Sequence, residues 1–351
     1  MEPLLNVWDY EAAAAARLDP GAHGYYAGGA GDEVTLRDNV AAYGRLQLRP
    51  RVLVDVAGCT TSTTVLGEEV SMPLLVAPVA FQRVAHPDGE VGMARAAQAA
   101  GTIMCLSTLA TATPAEVAAT GALRWFQLYV FRDEGLTREL VAQARDSGFT
   151  ALVLTVDTPV LGRRERDHRT GFTIPPEITV AALGGGGVTP LEAFSWMSQS
   201  VSWRDVEAFA AAAGLPVLVK GVLTAEDARL AWEHGAAGIV VSNHGGRQLD
   251  GVAATIDALP EVVEAVGGKV EVLVDGGIRR GADVVKALAL GARAVLAGRA
   301  PLWGLAVGGE EGARHVLELL RDEIMLALKL VGSPSPDGVT RAHVSRRLNF
   351  D

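Results

Sequence analysis

The stretch 217-VLVKGVLTAEDARLAWEHGAAGIVV-241 holds one complete structural unit. Val217 to Lys220 and Gly238 to Val241 are short apolar runs of strand length. Between them, Thr224 to His234 reads as a helix, opened by a capping threonine and closed at Gly235. A strand, a helix and a second strand in this order predict a parallel pair with a crossover.

The unit recurs in both directions. Apolar runs stand at Leu74 to Ala77, Ile103 to Leu106, Trp125 to Tyr129, Ala151 to Val156, Val272 to Asp275 and Ala294 to Ala297, which with the two above make eight. Helical segments fall between them, at Glu90 to Ala100, Thr113 to Thr120, Gly135 to Ser147, Trp203 to Ala213, Ile256 to Val266 and Gly281 to Leu290. Thr113 and Ser202 open two of these, and Gly101, Gly148, Gly214 and Gly291 follow others, the expected start and stop chemistry. A doubly wound sheet also accepts alternating units, but eight in series favour an α/β fold of the (β/α)₈ TIM-barrel type.

Residues 74–330 then form the barrel, within a single domain spanning 1–351. Residues 1–73 form an extension with a helical opening, a turn rich in glycine (Gly28, Gly29, Gly31) and a hairpin around Thr60 to Val70; residues 331–351 are a tail. The extension reads as a lid or plug. One connection is long: 160–201, after the fourth strand, includes Gly184 to Gly187 and has the character of an active-site cover.

Of 351 residues, 49% are hydrophobic and 21% charged, the composition of a globular chain with a large core. The 41 acidic and 31 basic side chains leave a net charge of −10 and no basic stripe, which argues against nucleic acid as a partner. No apolar run approaches the roughly 20 residues of a membrane helix, and the N-terminus lacks signal-peptide character. The two cysteines, Cys59 and Cys105, build neither a disulfide framework nor a metal motif, so a cytoplasmic protein without a metal is expected.

Barrel active sites lie at the C-terminal ends of the strands, where this chain places Gln127, Tyr129, Thr155, Asp157, Lys220 and Asp275. The sixth strand runs into 242-SNHGGRQLD-250, which brings a base, His244, next to an arginine fork, Arg247, that matches a carboxylate. After the seventh and eighth strands, 275-DGGIRRG-281 and Gly298-Arg299 combine glycine backbone, helix starts and arginine charge in a phosphate site. Lys220 alone reads equally as a Schiff-base nucleophile, an anion binder or an exposed strand end. Asp157 either caps a helix or steadies a protonated His244.

Taken together, these segments resemble the FMN-dependent 2-hydroxy acid oxidase and dehydrogenase family, and within it the glycolate oxidase, or (S)-2-hydroxy acid oxidase, branch. The similarity extends over nearly the whole chain, through YYAGGAGDE at 25–33, SMPLLVAPVAFQ at 71–82, AHPDGE at 85–90, FQLY at 126–129, LTVDTPVLGRRE at 154–165, VKGV at 219–222, SNHGGRQLD, DGGIRRG and AGR at 297–299. It implies an enzyme with FMN as cofactor. The flavin ring would meet Val79, Ala80, Ser107, Gln127, Thr155, Lys220 and Ser242, and its phosphate Asp275, Gly277, Arg279, Gly298 and Arg299. Under this resemblance Lys220 stabilises negative charge on the reduced ring, and Schiff-base chemistry drops out.

The same resemblance implies that the substrate carboxylate lies between Arg247 and Arg164, with the hydroxyls of Tyr25 and Tyr129 hydrogen-bonding the carboxylate or the reacting oxygen. His244 is then the catalytic base, assisted by Asp157. Hydride loss after O–H deprotonation and carbanion formation after C–H deprotonation use the same residues. The expected reaction converts (S)-2-hydroxy acids to 2-oxo acids, with dioxygen as the acceptor giving hydrogen peroxide; another electron acceptor is the alternative. An FMN-dependent isomerase has no need of the His244–Arg247 pair, and a binding protein has no need of the base. Two departures from glycolate oxidases stand out, Val79 in place of threonine and Leu109 in place of tryptophan over the substrate. The missing ring implies a wider pocket, unless Phe81 or the long loop offsets it. A homotetramer or octamer is the assembly the resemblance implies.

Overall fold

A computed structural model describes residues 3–183 and 187–347. Eight parallel strands close into a barrel: Leu74–Val76, Met104–Ser107, Arg124–Leu128, Leu152–Thr155, Val217–Val222, Gly238–Val241, Glu271–Asp275 and Ala294–Ala297. Closure runs through the last and first strands, with Val295 opposite Leu74 and Ala297 opposite Val76. Leu75, Cys105, Trp125, Val153, Leu218, Val240, Leu273 and Leu296 fill one buried cluster, while alternate residues such as Leu74, Val76, Leu106 and Phe126 pack in a second with the helices. Burial on both faces explains why the strands read as continuous apolar runs without alternation.

Helix boundaries follow the capping chemistry. Thr224 Oγ1 accepts the N–H of Asp227 at 3.2 Å, and Thr113 forms a reciprocal capping box with Glu116. Gly101, Gly148, Gly214, Gly235 and Gly291 all adopt positive φ where helices hand over to the next connection.

The extension serves both ends of the barrel. Its hairpin, Thr63–Val65 with Glu68–Val70, inserts Val65 and Val70 into the inner cluster at the N-terminal ends of the strands. Its three helices, Val7–Arg17, Pro20–Ala27 and Val34–Gly44, reach the opposite end. There Asn39 and Asn243 exchange hydrogen bonds of 2.8 Å, tying the third helix to the loop after the sixth strand.

Two features depart from the expected outline. The segment assigned to a tail contributes a strand, Val344–Arg346, which pairs antiparallel with Leu46–Leu48. The long connection after the fourth strand carries two short helices, Glu165–Thr170 and Pro190–Trp196, the second capped by Thr189 and Glu192. Most of its expected glycine run, Gly184 to Gly186, lies outside the described residues. Among the described residues, no helix is long and apolar enough to cross a membrane.

Candidate active site

At the C-terminal ends of the strands opens a cavity with about 1100 Å³ of empty space, its mouth included. Strand register builds one wall. Ser107 lies beside Gln127, and Thr155 beside Lys220, on neighbouring strands. Ser107 Oγ donates to Gln127 Oε1 at 3.2 Å, and Gln127 Nε2 donates to Thr155 Oγ1 at 3.0 Å. The result is a polar row across four strands, with Val79 and Ala80 lining the cavity from the loop after the first.

Lys220 ends this row and is fully held. Its Nζ donates to Ser242 Oγ at 3.0 Å and lies 3.4 Å from Asp275 Oδ2. Burial alone would favour the neutral amine, but Asp275 and Asp157 outweigh it and raise the ammonium above its ordinary pKa. Ser242 donates in turn to Asp275 Oδ2 at 2.9 Å and accepts the His244 N–H at 3.1 Å. Ser242 is completely buried and links Lys220 to Asp275.

His244 occupies a left-handed conformation (φ 58°), followed by Gly245 and Gly246 in the same region. That conformation is costly for a residue with a Cβ. The third helix of the extension supports it: a Cβ on Gly246 would come within 2.7 Å of Leu36 backbone atoms, so only glycine permits the packing. In this pose His244 Nδ1 lies 2.8 Å from Asp157 Oδ1, and His244 Nε2 lies 3.5 Å from the Tyr129 hydroxyl. Burial pushes the imidazole below its ordinary pKa, with Asp157 working against that and Lys220 and Arg164 adding to it. Burial would raise the Asp157 carboxyl, yet His244 and Lys220 hold it at about 2. Tyr129 is pushed up to about 12 by burial and by Asp157.

Four guanidinium groups line the same cavity: Arg164, Arg247, Arg279 and Arg299. Arg247 is pushed down to about 10 by burial and by Arg164, and Arg299 to about 9 by burial and by Arg247 and Arg279. Cations that lower one another in a buried site favour anions there. Arg247 stacks 4.9 Å over the Tyr25 ring and donates to the carbonyls of Tyr25 and, at 3.1 Å, Gly28. Arg299 donates to the carbonyls of Tyr26, Gly28 and Gly245 at 2.8 to 3.0 Å. Both arginines therefore also pin the end of the helix Pro20–Ala27 over the site.

The expected site residues converge here, with two set back from the wall, Ser242 and Asp157. Leu109 is buried in the wall, and Leu161, Arg164 and Phe194 of the long connection line the same cavity. Phe194 packs edge-on against Phe81 at 6.2 Å, and the Phe81 N–H donates to the Leu109 carbonyl at 3.1 Å. Sequence reading missed Phe194, Leu161 and Thr158. Leu161 and Phe194 belong to the connection expected to cover the site, and Thr158 directly follows Asp157.

These residues fit FMN. Asp275 Oδ1 is buried without a partner, an acceptor available to a group able to donate. Gly298-Arg299 opens the helix Arg299–Val331, whose N-terminus together with Arg279 and Arg299 suits a phosphate. The polar row at Ser107, Gln127 and Thr155 offers alternating donors and acceptors to a heterocycle edge, with the Lys220 charge at its end. A model of the FMN-dependent dehydrogenase family matches residues 14–346. The chain belongs to this family. It is 51% identical to an L-lactate oxidase of Nostoc sp., over 93% of this chain and 94% of that protein. It is 50% identical to glycolate oxidase 1 of Zea mays, over 98% and 96%. Among solved structures, mandelate oxidase superposes with a TM-score of 0.94 at 44% identity, covering 99% of this chain and all of that one.

Proposed function

We propose that this chain is an (S)-2-hydroxy acid oxidase, converting its substrate to the 2-oxo acid and dioxygen to hydrogen peroxide. The observation that carries the proposal is the meeting, in one cavity, of a carboxylate-supported base and a carboxylate clamp: His244 on Asp157 beside Arg247 and Arg164. FMN, held by the polar row and the phosphate end, supplies the two-electron acceptor.

The chain's own residues do the rest. Arg247 and Arg164 take the substrate carboxylate, and Tyr25 and Tyr129 hydrogen-bond its oxygens. Because Nδ1 is committed to Asp157, Nε2 presents its lone pair to the cavity. Nε2 accepts the proton that the substrate loses as its two electrons leave, and Asp157 stabilises the imidazolium that results. Lys220 would stabilise negative charge on the reduced cofactor. The helix Pro20–Ala27 and the loop with Leu161 and Phe194 shield this exchange from water.

The wall at Leu109 favours substrates larger than glycolate, such as lactate, longer aliphatic acids and aryl acids. The named activities of the relatives, on lactate, glycolate and mandelate, support the reaction class. The reading extends to one domain over 1–351, a homotetramer or octamer, and a cytoplasmic setting; Cys59 and Cys105, both free, accord with a reducing compartment. Oxygen uptake and peroxide formation with a panel from glycolate through lactate and 2-hydroxyoctanoate to mandelate test it. Equal or lower activity on lactate and mandelate than on glycolate contradicts the wide pocket, and no oxygen uptake with any acid contradicts the oxidase.

A further inference from the structure

Asp157 spends both of its hydrogen bonds on one oxygen. Oδ1 receives His244 Nδ1 at 2.8 Å and the Thr158 hydroxyl at 3.0 Å, while Oδ2 is buried without a partner. Thr158 Oγ1 also lies 3.3 Å from His244 Nδ1, so base, carboxylate and hydroxyl form a closed triangle. The arrangement is rigid. Thr158 is buried, and Gly221 packs so closely behind the carboxylate that a Cβ there would fall 2.7 Å from Asp157 Cβ. A hydroxyl has a single proton, and the charged oxygen is its strongest acceptor nearby, so Thr158 donates to Oδ1.

We infer that Thr158 is a positioning residue for the base: by sharing Asp157 Oδ1 with His244 it fixes the carboxylate against the imidazole and limits how strongly that carboxylate stabilises the imidazolium. The inference rests on the proposed role of His244. Lys220 from the fifth strand and Arg164 from the long connection act on His244, Arg247 of the histidine's own loop lines the same cavity, and Tyr129, just after the third strand, lies 3.5 Å from His244 Nε2 and is itself a hydrogen-bond neighbour of Thr158. None of them competes for Oδ1 among the described hydrogen bonds. Removing the Thr158 donor concentrates the carboxylate charge on the imidazole N–H and favours the protonated ring. One hydrogen bond of ordinary strength corresponds to a shift of roughly half to one pH unit.

The test is Thr158→Val, which keeps the shape and removes the donor, with Thr158→Ser as the conservative variant. Both are purified with FMN bound. The His244 ring is titrated by NMR in the holoenzyme, its signal assigned among the seven histidines by its loss in His244→Gln. The pH profile of kcat/KM is recorded alongside. The inference predicts that Thr158→Val moves the His244 midpoint, and the acid limb of kcat/KM, upward by roughly half to one unit, and that Thr158→Ser restores both. Unchanged midpoints in Thr158→Val overturn it, even where kcat falls. If Thr158→Val loses FMN, Thr158→Ala is read by the same criteria. The titration does not depend on turnover, so an enzyme inactive on hydroxy acids sinks the proposed function separately.

Discussion

His244 Nδ1 lies 2.8 Å from Asp157 Oδ1, while the opposite edge of the ring faces the cavity beside Tyr129. The carboxylate sets both the tautomer and the orientation of the base. Since burial keeps the imidazole below its ordinary pKa of 6.5, the proposed base is expected to be neutral at pH 7, and the acid limb of kcat/KM to have its midpoint below 6.5. In Asp157→Asn the opposing carboxylate charge is gone, so the limb moves to still lower pH. The plateau falls roughly a hundredfold or more. Stopped-flow reduction rates across pH 5 to 9 check both signs.

Arg247 is a fork held by the Tyr25 ring and by two carbonyls. Lysine retains the charge without that geometry. Arg247→Lys is expected to lose roughly 2–5 kcal/mol of kcat/KM, mostly through KM, with FMN affinity near that of the parent. Steady-state kinetics with flavin fluorescence separate the two.

Lys220 stands buried between Asp275, Ser242 and the charge of Asp157. Lys220→Met leaves these carboxylates without their cation, a loss of about 3–5 kcal/mol of stability. Thermal unfolding of the holoprotein is expected to show a clear fall in Tm, and a measurement of the cofactor's reduction potential a shift to more negative values. An unchanged Tm contradicts the assigned pairing.

Leu109, Phe194 and Leu161 line the same cavity. Leu109→Trp places a large ring in that space. Activity on mandelate and 2-hydroxyoctanoate should fall at least roughly tenfold relative to glycolate, the scale on which pocket fit discriminates. A ratio that stays constant removes Leu109 from substrate selection.

The barrel was legible because its evidence is local. Strands buried on both faces leave unbroken apolar runs, and Thr224 or Gly235 marks a boundary through its own backbone chemistry. Leu46–Leu48 and Val344–Arg346 pair across almost the full chain, and no local pattern announces such a contact. His244, Arg247 and Lys220 stood out because strand ends of a barrel have a known direction. Phe194 and Leu161 did not, since a long connection sets its own path. Ser242 was placed at a strand end by the sequence, but its bonds to Lys220 and Asp275 come from tertiary packing. Arg299, expected at the phosphate, also bonds three carbonyls of the extension and the His244 loop, a role that only tertiary packing reveals.

The most direct measurement is anaerobic mixing of the FMN-loaded protein with (S)-lactate, (S)-mandelate and glycolate in a stopped-flow spectrophotometer, for the parent chain and His244→Gln, followed by readmission of air. The account predicts rapid bleaching of the flavin band by the parent, recovery with stoichiometric peroxide in air, and reduction slowed by roughly 10²–10⁴ in the variant. A fully loaded parent that no hydroxy acid bleaches, or a His244→Gln variant that bleaches as fast as the parent, contradicts it.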